Sequence, residues 1–145
     1  MKKLFVFMSL VMFIVACQKF EIQELETLIS THDEDESHHY GENCMNCHYS
    51  AGRSEGVFTV GGSVSGNFKN ATMEFYKDGI VKAVHKVEVD KLGNAYTTED
   101  IDFSEGLSVG VRNRNGKIEF MDDKIFNGQC NLCHGTKIEE VIEID

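Results

Sequence analysis

Apolar and polar positions alternate with a period of two through the middle of the chain. Val81, Ala83, His85, Val87 and Val89 share one face, with Lys82, Lys86 and Glu88 on the other. Leu107, Val109 and Val111 repeat the pattern, and so do Ile118 and Phe120. A period of two belongs to a half-buried strand, whose successive side chains point to opposite faces. On this basis strands are expected over 57–65, 71–77, 80–89, 94–98, 107–113 and 117–121. The turns between them are signalled by Asp78-Gly79, Gly93-Asn94 and Asn113-Arg114-Asn115-Gly116. Short strands at this spacing predict an all-β fold, a small antiparallel β-sandwich with its core at about residues 57–121.

The pattern changes on the N-terminal side. Lys2-Lys3 precedes an apolar run over 4–15, broken only by Ser9 and followed by Ala16-Cys17. That run is too short to span a bilayer as a helix and has the length of a signal peptide. Beyond it Glu21, Glu24, Glu26, Asp33, Glu34, Asp35 and Glu36 dominate, with little to bury. Ile22, Leu25, Leu28 and Ile29 fall at helical spacing, enough for a turn or two. The acidic run after Thr31 reads as a solvated spacer. The expected organisation is therefore a leader over 1–16, an acidic tether over 17–40 and one domain over 41–145.

Charge and composition narrow the partners. A formal charge of −10 over 145 residues argues against nucleic acid, because phosphate binding needs clustered Lys and Arg. It suits a soluble acidic surface or docking to a basic-faced partner. With no proline in the chain, turns must come from Gly, Asn and Asp.

Five cysteines occur, and four of them form two pairs of identical grammar. These are Cys44-Met45-Asn46-Cys47-His48 and Cys130-Asn131-Leu132-Cys133-His134. Cys-x-x-Cys-His is the pattern of covalent c-type haem attachment. Two thiols must reach the two vinyl groups of one porphyrin, and the next residue must turn its imidazole onto the iron from the same side. Cys44, Cys47, Cys130 and Cys133 are therefore the expected thioether positions for two haems c, with His48 and His134 as proximal iron ligands. Alternatives are one Cys₄ zinc site, redox disulfides or structural disulfides. None of these needs a His after the second Cys. With six His in 145 residues, chance places both at odds of roughly one in 600.

Two further stretches carry resemblances. Ile14-Val15-Ala16-Cys17 resembles the lipobox of bacterial lipoproteins. The resemblance implies cleavage before Cys17, a diacylglycerol on its thiol and an exported protein anchored at the periplasmic face or the cell surface. Phe58 to Gly66, Ala71 to Tyr76 and Asp90-Lys91-Leu92-Gly93-Asn94-Ala95-Tyr96 resemble the opening Gly-x-Val strand, second strand and Asp-x-x-Gly-x-Phe/Tyr turn of prealbumin-like, carboxypeptidase-regulatory-like sandwiches. Together they resemble exported bacterial dihaem cytochrome lipoproteins in which such a sandwich is bracketed by haem motifs. The helical cytochrome c fold is not expected, since no amphipathic helix of adequate length follows Cys47-His48.

Candidates for the second axial positions are Met121, His38, His39 and His85. Met121 shares strand phase with Lys117 and Glu119, a polar face where a Met has no core to fill. His38 and His39 precede the first motif and can fold back over it. His85 lies on an apolar strand face. Met73 reads as core, Met45 is badly placed to reach its own iron, and His32 is more distant. No Lys, Glu or Ser constellation suggests catalysis. The expected role is electron transfer, with redox protein partners and a membrane anchor. Motifs at both ends of the domain also permit copies to associate into a longer haem chain. A haem enzyme or gas sensor with one open iron, and a zinc- or disulfide-stapled binding lipoprotein, are the alternatives.

Overall fold

The computed structural model describes residues 27–52, 54–135 and 141–145. The expected leader, Cys17 and the first part of the expected tether lie outside these residues. Eight strands are described: β1 (Val60–Gly66), β2 (Thr72–Tyr76), β3 (His85–Glu88), β4 (Asn94–Thr97), β5 (Ser108–Arg112), β6 (Ile118–Phe120), β7 (Gly128–Gln129) and β8 (Ile142–Ile144). The first Cys pair sits on a single 3-10 turn, Cys44–Asn46, and the second on a one-turn helix, α1 (Cys130–Cys133). The fold is all-β.

Two sheets share one core. The order β3-β2-β5-β6 is antiparallel throughout, while β1 carries β4 antiparallel and both β7 and β8 parallel. Val60, Val64, Ala95 and Ile144 from the β1 sheet meet Met73, Phe75, Val87, Val109 and Val111 from the other, all with almost no exposed surface. All six anticipated strands are present, with trimmed ends. The alternation of residues 80–84 fails to make strand: Ile80 N–H donates to Lys77 O in a turn, and Val81 is 96% exposed.

Sequence reading mistook the face of β6. Phe120 pairs with Gly110 and Ile118 with Arg112, on the outward side of the sheet that also holds Glu74. Gly110 has no side chain, so Ile118 and Phe120 fill the slot it leaves; a Cβ there would stand 2.8 Å from Ile118 and 2.9 Å from Phe120. Glu119 and the following Met121 therefore lie in the core-facing phase, with Met121 N–H bonded to Val109 O. The polar-face argument for Met121 is thereby reversed: it is an edge residue, 36% exposed.

The described part of the expected tether is no free spacer. Ile29 bridges Thr97, Ser30 N–H donates to Tyr96 O, and the buried Ser30 hydroxyl donates to Glu88 O at 2.6 Å. Further on, Lys91 N–H donates to Glu34 O, Asn94 Nδ2 to Ser37 Oγ, and Gly41 N–H to Ser63 Oγ. The bonds of Ile29 and Ser30 to Thr97 and Tyr96 run along β4, covering a sheet edge that would otherwise expose unpaired main-chain groups. The domain thus extends N-terminal of residue 41, to Leu28, whose carbonyl accepts from Thr98 N–H.

Candidate functional site

Both cysteine motifs are built around one short stretch of β1. Gly61 and Gly62 are successive residues of a strand, so their missing side chains open opposite faces. A Cβ on Gly61 would stand 2.8 Å from Cys44 Cβ and 2.9 Å from Cys44 Sγ. One on Gly62 would stand 2.8 Å from Cys130 Cβ and 3.2 Å from its Sγ. The two glycines admit the first cysteine of each motif from either side of the strand. The two cysteines are then on the order of 10 Å apart, because neighbouring Cα atoms are separated by 3.8 Å. Motifs at opposite ends of the domain's sequence are neighbours in its structure.

The second motif interrupts a strand. β7 and β8 both run parallel to β1, pairing Val60–Gly61 and Val64–Gly66 respectively, and α1 falls between them. At the gap, Asn131 substitutes for a strand partner: its Oδ1 accepts from Ser63 N–H at 2.8 Å. Its Nδ2 donates to Ser63 Oγ at 2.9 Å and to Glu42 O at 2.8 Å. Ser63 Oγ donates in turn to Asn94 Oδ1. One buried Asn inside the second motif thereby holds the residues leading into the first. Asn43 Nδ2 adds a 3.3 Å bond to Gln129 Oε1.

The first motif opens onto a cavity of about 550 Å³. Cys44, Cys47 and His48 line it together with His38, His39, Phe58 and Tyr96, and Glu34, Glu36, Glu42 and Glu55 stand around it. Asn43 caps the 3-10 turn, its Oδ1 accepting from Met45 N–H at 3.1 Å. His48 is buried and stacks on Phe58 at 3.9 Å, and Phe58 stacks on Tyr96 at 5.0 Å. Burial first, then the carboxylates of Glu34, Asp90 and Glu36, push the Tyr96 phenol up to about 12, so it stays neutral. His48 Nδ1 lies 2.8 Å from Glu55 O. A carbonyl only accepts, so Nδ1 carries the proton and Nε2 is the ring nitrogen left for a metal. Ligating histidines are fixed in this way.

Burial raises the Cys44 thiol, and it pushes Cys130 up to about 12. Cys130 keeps some exposed surface, but its sulfur is enclosed, 4.0 Å from Met73 Sδ. Cys47 and Cys133 are exposed, and His134 is half-buried with its N–H bonded to Cys130 O. All four thiols are free. Among the described residues no group of three or more His, Cys, Asp and Glu stands ready to hold a bare metal ion. The donor set at the first motif fits a covalently held haem instead: two thiols and an imidazole with a committed Nδ1, all facing one cavity. No protein-family model, curated protein or solved structure matches the chain.

The remaining candidates divide by position. His38 and His39 stand at the first motif, and the His38 ring centre is 5.9 Å from that of His48. His85 opens β3 opposite Phe75, and Met121 follows β6; neither lines the cavity. Met73 is core, as read, and also abuts Cys130. Sequence reasoning missed Gly61, Gly62, Ser63 and Asn131. The glycine pair inside a strand was the available signal, since strand glycines mark a close approach of other chain.

Proposed function

We propose that this chain is an exported electron carrier holding two haems c, and that it performs no bond-making chemistry. The observation that carries this reading is the cavity at the first motif, where Cys44, Cys47 and His48 converge, the last with its Nδ1 committed to Glu55 O. Cys44 and Cys47 would hold one haem and Cys130 and Cys133 the other, with His48 and His134 as proximal ligands. A haem iron supplies reversible one-electron exchange, with a potential tuned by ligands and burial.

The chain's own residues supply the rest. The Glu55 carbonyl holds the proton on His48 Nδ1 and so leaves Nε2 as the nitrogen that would bind iron. Phe58 stacks on the imidazole and Tyr96 on Phe58, which fixes the plane of the His48 ring. The closeness of the two motifs across Gly61 and Gly62 favours exchange within one chain. The carboxylates of Glu34, Glu36, Glu42 and Glu55 around the cavity suit a basic-faced redox partner, which they would steer by charge.

Intact mass spectrometry of material made with cytochrome c maturation checks the stoichiometry. Two increments of roughly 616 Da, the mass of the cofactor, are expected on the mature chain. A chain with no increment, or with zinc in its place, overturns the reading. Anchoring is a separate matter, since Cys17 lies outside the described residues. Wild type should partition into detergent, and Cys17→Ser should release it or block its processing. Soluble wild type without acyl mass would contradict the anchor.

A further inference from the structure

Resting on the haem reading above, we infer that His38 is the second axial ligand of the haem on the first motif, which makes that haem a bis-histidine centre closed to small ligands. Four residues outside sequence contact with the motif's Cys pair bear on the choice: His38, His39, His85 and Met121. Only His38 and His39 line the cavity that Cys44, Cys47 and His48 share.

The spacing selects between these two. Two imidazoles bound at about 2.0–2.1 Å to opposite sides of one metal hold their ring centres roughly 6 Å apart. The His38 and His48 centres are 5.9 Å apart, with the ring planes tilted by 36°. The separation needs little change for both rings to serve one iron. His39 is otherwise engaged: its Nδ1 lies 3.4 Å from a Glu42 carboxylate oxygen, and its side chain is 68% exposed. It meets His38 edge to face, ring centres 5.1 Å apart.

The segment carrying His38 is anchored at both ends, which a ligand needs. Ser37 Oγ accepts from Asn94 Nδ2 at 2.8 Å, and Gly41 N–H donates to Ser63 Oγ at 2.9 Å. His39 takes the left-handed conformation, φ 54°, and its carbonyl accepts from Glu42 N–H at 2.9 Å. A non-glycine residue held at positive φ by its surroundings is characteristic of a constrained site. The resulting turn returns the chain from His38 to the first motif.

The test uses the full, haem-loaded chain and the variants His38→Ala, His38→Met and His39→Ala. In His38→Ala one haem should turn from low-spin to high-spin, and the chain should bind one more carbon monoxide than wild type. Added imidazole should restore the low-spin signal. His38→Met should raise one of the two midpoint potentials, because a thioether favours the reduced iron more than a second imidazole does. His39→Ala should keep both spectra. His38 is exposed, so these variants should fold as wild type does. Unchanged spin state and carbon monoxide stoichiometry in His38→Ala, with both haems still attached, overturn the assignment alone. A change in His39→Ala but not in His38→Ala moves the ligand to His39. Wild type without covalent haem instead sinks the electron-carrier reading and this inference with it.

Discussion

Replacing Asn131 by Ala should lower the stability of the domain by about 3 kcal/mol, although Asn131 is nominally a free spacer within its motif. Its side chain makes three hydrogen bonds in a buried setting, to Ser63 N–H, Ser63 Oγ and Glu42 O. Truncation leaves the Ser63 N–H without a partner at the one point where neither β7 nor β8 reaches β1. A buried donor stripped of its acceptor costs about 1–3 kcal/mol, and the Glu42 carbonyl adds to this. The neighbouring Leu132 is half-exposed and forms the control: Leu132→Ala should move stability by less than about 0.5 kcal/mol. Urea denaturation of the three proteins reads the difference. Equal midpoints for Asn131→Ala and Leu132→Ala would show that the gap in the ladder is closed some other way.

Glu74 should give the second large effect, and one that depends on pH. It lies in the outward phase of β2 yet is 1% exposed, at a cleft of about 440 Å³ lined also by Ser30, Lys86 and Arg112. Arg112 donates to its carboxylate through Nε at 3.1 Å and Nη2 at 2.7 Å, Lys86 Nζ at 2.7 Å, and the Tyr76 hydroxyl adds a further bond. Arg112 foremost, then Lys86 and Tyr76, hold the carboxyl at about 2 against its usual 4.5, with burial opposing them. A carboxyl with a depressed folded-state value stabilises the fold fully above about pH 4.5. That contribution is lost as pH falls from there toward 2. The shift corresponds to on the order of 3 kcal/mol at neutral pH. Glu74→Gln keeps the shape and removes the charge, so the gap between it and wild type should be about 3 kcal/mol at pH 7 and about 1 kcal/mol at pH 3. A gap that does not narrow in acid would mean that packing, not charge, is what Glu74 contributes.

Strands with a clear alternation were readable because the period of two and the Gly/Asn turns are local signals. β2, β4 and β5 follow them almost residue for residue. What could not be read was set by distant chain. β7 and β8 span two and three residues, too few for any period, and they exist because β1 offers them a parallel edge. β6 was assigned the wrong face because the slot above Gly110 decides which side Ile118 and Phe120 take. The acidic run around residues 33–36 suggested a spacer, but the Lys91 N–H, in the turn before β4, bonds the Glu34 carbonyl and holds it. At the site, the thiols, His48 and the His38–His39 pair were visible from motif and order alone. Their convergence on one cavity, and the meeting of both motifs at Gly61–Gly62, depend on pairings such as that of Ser63 with Asn131, 68 positions apart.

That same pairing bears on the order of events during biogenesis. β1 is complete only when β7 and β8 have paired with it, and folds dominated by such non-local pairing close slowly. Once they close, the Cys130 sulfur sits 4.0 Å from Met73 Sδ and burial raises its thiol, so less of it is the reactive thiolate. On the proposed haem reading, thioether formation at the second motif would have to precede sheet closure, while the chain is still open. Slow closure would then give an interval in which a haem could be attached. A variant that sped closure of β1 would be expected to accumulate protein that is folded, stable and short of its second haem.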